Sequence, residues 1–510
     1  MAKFKKPVVK TRDGILEGLI ENGLYVFKGI PYASPPVGQL RWLSPQPPLG
    51  WTGKRSVQKF GTIAPQMRME MSVNGPPMEA EPQDENCLFL NIFTPGLDDK
   101  KRPVMVWIHG GAYNLGSGSS LMHPGHTLPK KGDVVFVSLN YRLGPLGFLH
   151  LVKATGGQIP ASGNEGLLDQ IAALRWVKDN ISGFGGDPSN VTIFGESAGG
   201  MSIGCLLSMP QARGLFQKAI LQSGVSTVRT LPEAEANADA FLAVLGQNGR
   251  QWEQLLALPA ANIIAQHKNW TGLDLWSLSR GAKLEPVIDG YSLPDWPLVA
   301  CKNGSARDVV IMAGTTLDES TIFTAMDRQL SAISEKELVK RLEKFLPSDF
   351  VSGLIPAYSQ ALAERGLQKV LPYHLFHAIF TDLQFRMPAV RLVESQIKLG
   401  SSAYYYIFDW TSAIRGLGAC HSLELGFLFG NHRADFHGAG PAAEKLADQI
   451  QSAWIAFARS GNPSCESLGR WPSYGKSRTT MLLGADSRAV KAPFEAERQA
   501  WEKAPDQWLG

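Results

Sequence analysis

Asn190-Val191-Thr192-Ile193-Phe194-Gly195-Glu196-Ser197-Ala198-Gly199-Gly200-Met201 decides the fold. Its first five residues form a β-branched, apolar run short enough to be a buried strand, and Met201 to Met209 reads as a helix. Between them Gly195 and Gly199 flank Ser197 at the G-x-S-x-G spacing of a nucleophile elbow, a sharp turn with no room for β-carbons beside the serine. Such a turn lifts the hydroxyl off the sheet. It also sets the Ala198 N–H at a helix N-terminus, where it can point at a developing oxyanion. In a chain with 52 glycines a lone match also describes an ordinary glycine-flanked turn, so the strand before and the helix after carry the reading.

The same pattern repeats outward from the elbow. Val104 to Ile108 and Val134 to Leu139 are continuous apolar runs, as expected of strands buried on both faces, and Ala219 to Gln222, Val309 to Ala313 and Tyr404 to Phe408 follow later. Leu167, Leu168, Ile171, Leu174 and Val177 recur at helical spacing before Asn180. Alternating strands and helices with buried strands imply a mainly parallel sheet covered on both faces. Upstream, Val8 to Thr11, Gly14 to Leu19 and Leu24 to Ile30 are short runs separated by Asp13-Gly14 and Asn22-Gly23, the turn signals of a small antiparallel ribbon. Residues 61 to 86 lack periodicity and read as a surface loop.

Composition narrows the classes. A balance of 50 Lys+Arg against 46 Asp+Glu gives a net charge of +4, too small and dispersed for a nucleic-acid partner. No stretch approaches the roughly 18 apolar residues of a membrane span. The basic start Lys3-Phe4-Lys5-Lys6 lacks the apolar run and cleavage site of a signal peptide, so the expected compartment is the cytoplasm. Five cysteines without a C-x-x-C argue against a disulfide framework or structural zinc, and Cys420 beside His421 reads as a small buried filler. No long linker or repeat divides the 510 residues.

In open parallel sheets ligands bind beyond the C-terminal ends of the strands. That rule gathers Ser197, the His109-Gly110-Gly111-Ala112 loop, Asp318-Glu319 and His421, each following a different strand. A serine hydroxyl needs a histidine to take its proton and an acid to fix that histidine's tautomer. Of the six histidines after Ser197, His421 alone follows a buried strand closely in a loop; His374 and His377 read as packing or helix surface, and His432 and His437 as surface loop. The acid stays open between Asp318, Glu319 and Asp289.

At this point the chain resembles the type B carboxylesterases of the α/β-hydrolase group, which includes cholinesterases and bacterial para-nitrobenzyl esterases. The likeness covers nearly the whole chain. It rests on Phe27-Lys28-Gly29-Ile30-Pro31-Tyr32-Ala33, Glu85-Asn86-Cys87-Leu88-Phe89-Leu90-Asn91, Trp107-Ile108-His109-Gly110-Gly111-Ala112, Asn140-Tyr141-Arg142, Phe184-Gly185-Gly186-Asp187-Pro188 and Gly195 to Gly200. It implies an α/β-hydrolase fold in which residues 1–510 form one domain, with helical and loop insertions around an active-site gorge. It implies Ser197 as nucleophile, Glu319 as acid, His421 as base, and an oxyanion hole from the N–H groups of Gly111, Ala112 and Ala198. The expected reaction is hydrolysis of a small-molecule carboxylic ester through an acyl-serine, with no cofactor and no metal; a lipase or a carbamate or amide hydrolase is the alternative on the same triad, and a non-catalytic relative the competing class.

The resemblance also makes Arg41 with Glu85, and Arg142 with Asp169, structural ion pairs. Secreted members pair the cysteine of the Glu-x-Cys-Leu motif with one upstream, whereas Gly61 to Gln66 here holds no cysteine, so Cys87 is expected as a free thiol. Residues 68 to 86 contain no Trp, Tyr or Phe to hold a quaternary ammonium, which argues against choline esters. Ile322 and Phe323, one helical turn beyond Glu319, are expected to shape the substrate pocket, with Trp270, Trp276 and Phe380 as the reserve candidates.

Overall fold

The computed structural model of the chain describes residues 6–67, 81–272, 283–325, 327 and 329–509. In chain order the strands among them are β1 (Val8–Lys10), β2 (Ile15–Glu17), β3 (Leu19–Glu21), β4 (Leu24–Pro31), β5 (Lys54–Ser56), β6 (Phe89–Thr94), β7 (Arg102–Ile108) and β8 (Val135–Leu139). They continue as β9 (Gly186–Glu196), β10 (Lys218–Gln222), β11 (Arg229–Thr230), β12 (Val287–Ile288), β13 (Val310–Thr316), β14 (Ala403–Phe408), β15 (Thr479–Leu483) and β16 (Arg488–Lys491). Eleven of these form one sheet in the order β16-β15-β14-β13-β10-β9-β7-β8-β6-β4-β3. From β15 to β8 every neighbouring pair is parallel. Antiparallel pairs close both edges.

Side chains alternate across each strand and so feed two separate cores. On β7, Val104, Val106 and Ile108 enter one apolar cluster while Met105 and Trp107 enter the other. On β14, Ala403, Tyr405 and Ile407 share the first, with Tyr404, Tyr406 and Phe408 in the second. The helices Glu165–Asn180, Ala198–Ser208 and Met387–Lys398 cover the first face, and the long helix Pro441–Ser460 covers the second. Burial on both faces is why these strands read as unbroken apolar runs.

The N-terminal ribbon differs from expectation. β1 and β2 are antiparallel, but β5 joins β2 in parallel to make a separate three-stranded sheet. β3 and β4 instead extend the large sheet through a hairpin in which Asn22 and Gly23 have φ of 52° and 81°, the left-handed pair of a tight two-residue turn. β5, β6, β11, β12, β15 and β16 escaped the sequence reading. β16 is a largely exposed edge strand, Arg488-Ala489-Val490-Lys491, whose charges discourage further pairing and also hide its strand character.

Two ion pairs sit where the resemblance put them. Arg142 Nη2 lies 2.7 Å from Asp169 Oδ1 with both side chains buried, and Arg41 Nη2 lies 2.6 Å from Glu85 Oε1. Arg41 Nη1 also donates to the carbonyls of Leu255, Leu256 and Leu258, which ties the N-terminal segment to a distant turn. All five thiols are free, and Cys87 is buried in this region.

Candidate active site

β9 ends at Glu196, the helix Ala198–Ser208 begins two residues later, and Ser197 between them has φ 56° and ψ −128°. A non-glycine residue there is strained by about 1–3 kcal/mol and persists only where its surroundings enforce it. The enforcement is visible in the glycines. A β-carbon on Gly199 would lie 2.1 Å from the Ile108 carbonyl oxygen, and one on Gly195 2.7 Å from the same atom. The Ser197 N–H donates to the Gln222 carbonyl at 2.9 Å, fixing the elbow to the end of β10. Ser197 is half-buried while the residues on either side of it are buried, so the turn presents the hydroxyl and conceals its supports.

Glu319 and His421 lie on the loops after β13 and β14, which are adjacent parallel strands. Glu319 is fully buried; its Oε1 accepts the Thr316 N–H at 2.7 Å, and its Oε2 lies 2.5 Å from His421 Nδ1. Asp318 does something different. Its backbone N–H donates to the Ala419 carbonyl and its carboxylate accepts the Ala419 N–H, both at 2.9 Å. Of the two neighbouring acids, then, Glu319 reaches the imidazole and Asp318 clips the acid loop to the base loop. Asp289 is remote from this pair: its carboxylate accepts from the N–H groups of Tyr291 and Leu293 and from the Ser292 hydroxyl, capping the loop after β12.

His421 Nε2 is buried and makes no hydrogen bond among the described residues, although Glu196 Oε1 stands 3.0 Å away, out of line for one. Burial alone would depress the imidazolium, but the carboxylates of Glu196 and Glu319 outweigh it and hold His421 well above the ordinary histidine range. Ser422 Oγ donates to Glu196. A third acid, Glu424, accepts the Gln222 amide at 3.1 Å; burial first, then the charges of Glu196 and Glu319, push its proton affinity above the ordinary carboxylate range. The sequence reading passed over Glu196 and Glu424. Their signal was position alone, one residue before Ser197 and three after His421.

The glycine loop after β7 carries unusual backbone. Gly111, Ala112 and Tyr113 have φ of 109°, 51° and 60° in succession. The Gly111 carbonyl accepts the N–H groups of Asn114 and Leu115, the Asn114 side chain donates to the Ala112 carbonyl at 2.6 Å, and Tyr141 Oη donates to the His109 carbonyl at 2.8 Å. His109 stacks on Tyr141 with ring centres 4.4 Å apart, and burial pushes it down to about 4, so it packs as a neutral ring. The N–H groups of Gly111, Ala112 and Ala198 donate to no acceptor among the described residues. A β-carbon on Gly110 would stand 3.1 Å from Ser197 Cβ, which measures how closely this loop approaches the elbow.

The remaining candidates separate. Phe323 is half-buried with its ring centre 5.0 Å from that of His421, and Phe385, from the π-helical turn Asp382–Arg386, lies at the same 5.0 Å. The two phenyl rings are parallel within 6°. Ile322 is buried in the second core. Phe380 is core, packed on Phe345 and Phe376, and Trp270 lies on Phe241 and beneath Lys283. Trp276 falls outside the described residues. His377 Nδ1 pairs with Ser320 Oγ at 2.8 Å, and His374 Nδ1 accepts the Leu371 N–H. His437 is not surface loop: it is buried on Phe427 and Phe436, and its Nδ1 accepts the Arg433 N–H at 2.9 Å. An aromatic patch beside the loop conceals it, which hydropathy over a few residues does not register. Cys420 is buried as expected, and burial pushes its thiol up to about 12.

Comparison with known proteins covers the chain almost end to end. The profile described as the carboxylesterase family matches residues 5–501. The para-nitrobenzyl esterase of Bacillus subtilis is 39% identical over 96% of this chain and 98% of its own, and the phenmedipham hydrolase of Pseudarthrobacter oxydans 34% identical over 96% and 97%. Among solved structures, a Geobacillus stearothermophilus carboxylesterase superposes with a TM-score of 0.86 at 38% identity, over 97% of this chain and all of that one. Its fold is the α/β-hydrolase fold.

Proposed function

We propose, for a chain that belongs to the carboxylesterase family and hydrolyses carboxylic esters, that the reaction runs through Ser197, Glu319 and His421. The observation that carries this reading is the 2.5 Å contact of Glu319 Oε2 with His421 Nδ1 on the rim that also presents Ser197. Glu319 fixes the tautomer in which Nδ1 bears the proton, leaving Nε2 to accept one. His421 Nε2 takes the Ser197 proton as the serine oxygen attacks the ester carbonyl. Negative charge develops on the carbonyl oxygen, and the unengaged N–H groups of Gly111, Ala112 and Ala198 stabilise it; one such donor is worth about 10²–10³ in rate. The imidazolium then returns its proton to the alcohol, which leaves. Water, activated by the same nitrogen, attacks the acyl-Ser197 and regenerates the hydroxyl.

Phe323 and Phe385 form an apolar wall beside His421, while Ile322 is buried in the second core. The substrates are small-molecule esters; an aromatic wall fits esters with an aryl or short apolar group on that side. Among the described residues no helix is long and apolar enough to cross a membrane. The test is labelling with a fluorophosphonate, followed by mass spectrometry of the digested protein. The expected adduct is on Ser197, absent in Ser197→Ala. An adduct on another serine, with activity retained in Ser197→Ala, overturns the assignment.

A further inference from the structure

Beyond the π-helical turn Asp382–Arg386, three guanidiniums line one small cavity. Arg386 is the last residue of that turn, and its side chain is only 6% exposed. It lines a cavity of about 10 Å³ together with Arg478, Arg498, Tyr405, Tyr474 and Glu495. Its Nε stands 2.7 Å from Asp382 Oδ1 as an ion pair and its plane lies over the Phe494 ring at 4.4 Å, while Nε, Nη1 and Asp382 Oδ1 are each buried without a hydrogen bond among the described residues. A guanidinium carries five N–H donors, and an unmet charged donor is costly in a dry interior.

Apart from Asp382 Oδ1, the carboxylate oxygens around it are engaged with other donors. Glu495 takes Arg498 Nε and Nη2 at 3.1 and 2.9 Å, Gln499 Nε2 at 3.1 Å, and faces Arg478 Nη1 at 3.4 Å. Asp382 Oδ2 takes the Tyr358 hydroxyl, which itself accepts from Trp501 Nε1 at 2.6 Å. Glu394 faces Arg478 Nε at 3.5 Å and Arg498 Nη1 at 4.0 Å. The cavity lining itself thus holds three guanidiniums and one carboxylate, Glu495, beside the neutral phenols of Tyr405 and Tyr474.

We propose that this cavity is a halide site, in which one chloride ion accepts from Arg386 Nη1 and is enclosed by the Arg478 and Arg498 guanidiniums. The volume admits about one particle of water size, which excludes phosphate, sulfate and carboxylates. A monatomic anion meets both the size and the charge. The site joins the π-helical turn to the C-terminal segment carrying Phe494, Glu495 and Arg498. Because Phe385 precedes Arg386 directly and packs on His421, one backbone segment carries both the ion and a wall of the catalytic rim.

Crystals grown or soaked in sodium bromide provide the direct test, read as anomalous scattering. A bromide peak within about 3.5 Å of Arg386 Nη1 is expected; a water in that position, or no density, overturns the proposal. In solution, melting midpoints at equal ionic strength in chloride and in gluconate, an anion too large to enter, give the second reading. The wild type should gain about 1–2 °C per tenfold rise in chloride, as expected for a ligand that binds only the folded state. The double variant Asp382→Asn with Arg386→Gln, which keeps shape and removes the charge pair together, should show no chloride dependence. An equal chloride effect in both proteins would mean a general salt effect and refute the site. Neither reading depends on which residues perform the hydrolysis.

Discussion

Ser197 and His421 stand on the same rim of one sheet, yet they are held there by different means. Ser197 is placed by its own neighbours: a strand that ends at Glu196, a helix that begins at Ala198, and glycines two positions to either side that admit the backbone of β7. His421 is placed by residues about a hundred positions away, through Glu319 on its ring and Asp318 on its loop. The local device tolerates little change in backbone, because the Ile108 and Gln222 carbonyls close on it from neighbouring strands. A long-range device is built from ordinary hydrogen bonds, each replaceable, whose value lies in their joint geometry.

The largest expected effect comes from removing the atom that the local device presents. Ser197→Ala should lower kcat for an aryl ester by about 10⁶-fold, the scale seen when a triad nucleophile is deleted. Its melting temperature should equal or exceed that of the wild type, because the hydroxyl itself supports nothing. Comparable kcat in the two proteins would break the comparison at its root.

On the long-range side the two neighbouring acids should behave unequally. Glu319→Gln is expected to lower kcat about 10⁴-fold by favouring the wrong imidazole tautomer. Asp318→Asn keeps an acceptor for the Ala419 N–H and should cost about tenfold or less. Steady-state kinetics of the pair decide it, and a worse Asp318→Asn would reverse the roles given to the two carboxylates.

Backbone space gives the next test. Gly199→Ala places a β-carbon 2.1 Å from a carbonyl oxygen, so it should destabilise the fold by about 3 kcal/mol, read as a lower denaturant midpoint. Gly440, which a β-carbon would leave clear of neighbours but whose φ is 103°, should cost less on the same change.

Titration supplies a smaller effect. In the proposed mechanism the neutral imidazole is the base, and the carboxylates around His421 raise its proton affinity in the folded protein. The acidic limb of kcat/KM should therefore lie above the unperturbed value of about 6.5. The same shift stabilises the fold fully below that unfolded value and is lost as pH rises through the folded one, so activity should climb while this contribution to stability falls. A pH-rate profile set beside melting curves over the same range tests the linkage; a limb below about 6 contradicts it.

Least of all, Phe323→Ala should change the ratio of kcat/KM between acetyl and octanoyl aryl esters by about tenfold while leaving His421 chemistry intact. An equal loss for all esters, with a lower melting temperature, would make Phe323 a packing residue.

This contrast also explains what could be read in the sequence. The elbow was legible because its parts are contiguous: an apolar strand, two glycines at fixed spacing and a helix. The parallel strands were legible because burial on both faces leaves unbroken apolar runs. Asp318 and Glu319 could not be told apart, since adjacent residues share every local property and only the path of a loop a hundred residues on separates them. Glu196 and Glu424 went unnoticed because a buried carboxylate looks like any surface glutamate until its surroundings are known. His437 was misplaced for the converse reason: its polar neighbours Arg433 and Asp435 conceal an aromatic pocket formed from Phe427 and Phe436.

The reciprocal hydrogen bonds between Asp318 and Ala419 have a mechanical consequence. They make the loops that carry Glu319 and His421 a single body, so a thermal displacement of one carries the other with it. The Glu319–His421 distance should therefore fluctuate less than the distance from either residue to Ser197, which rides on a different pair of strands. Ser422 Oγ on Glu196 ties that body to the elbow in turn, so the proton affinity of His421 and its place beside Ser197 are steadied together.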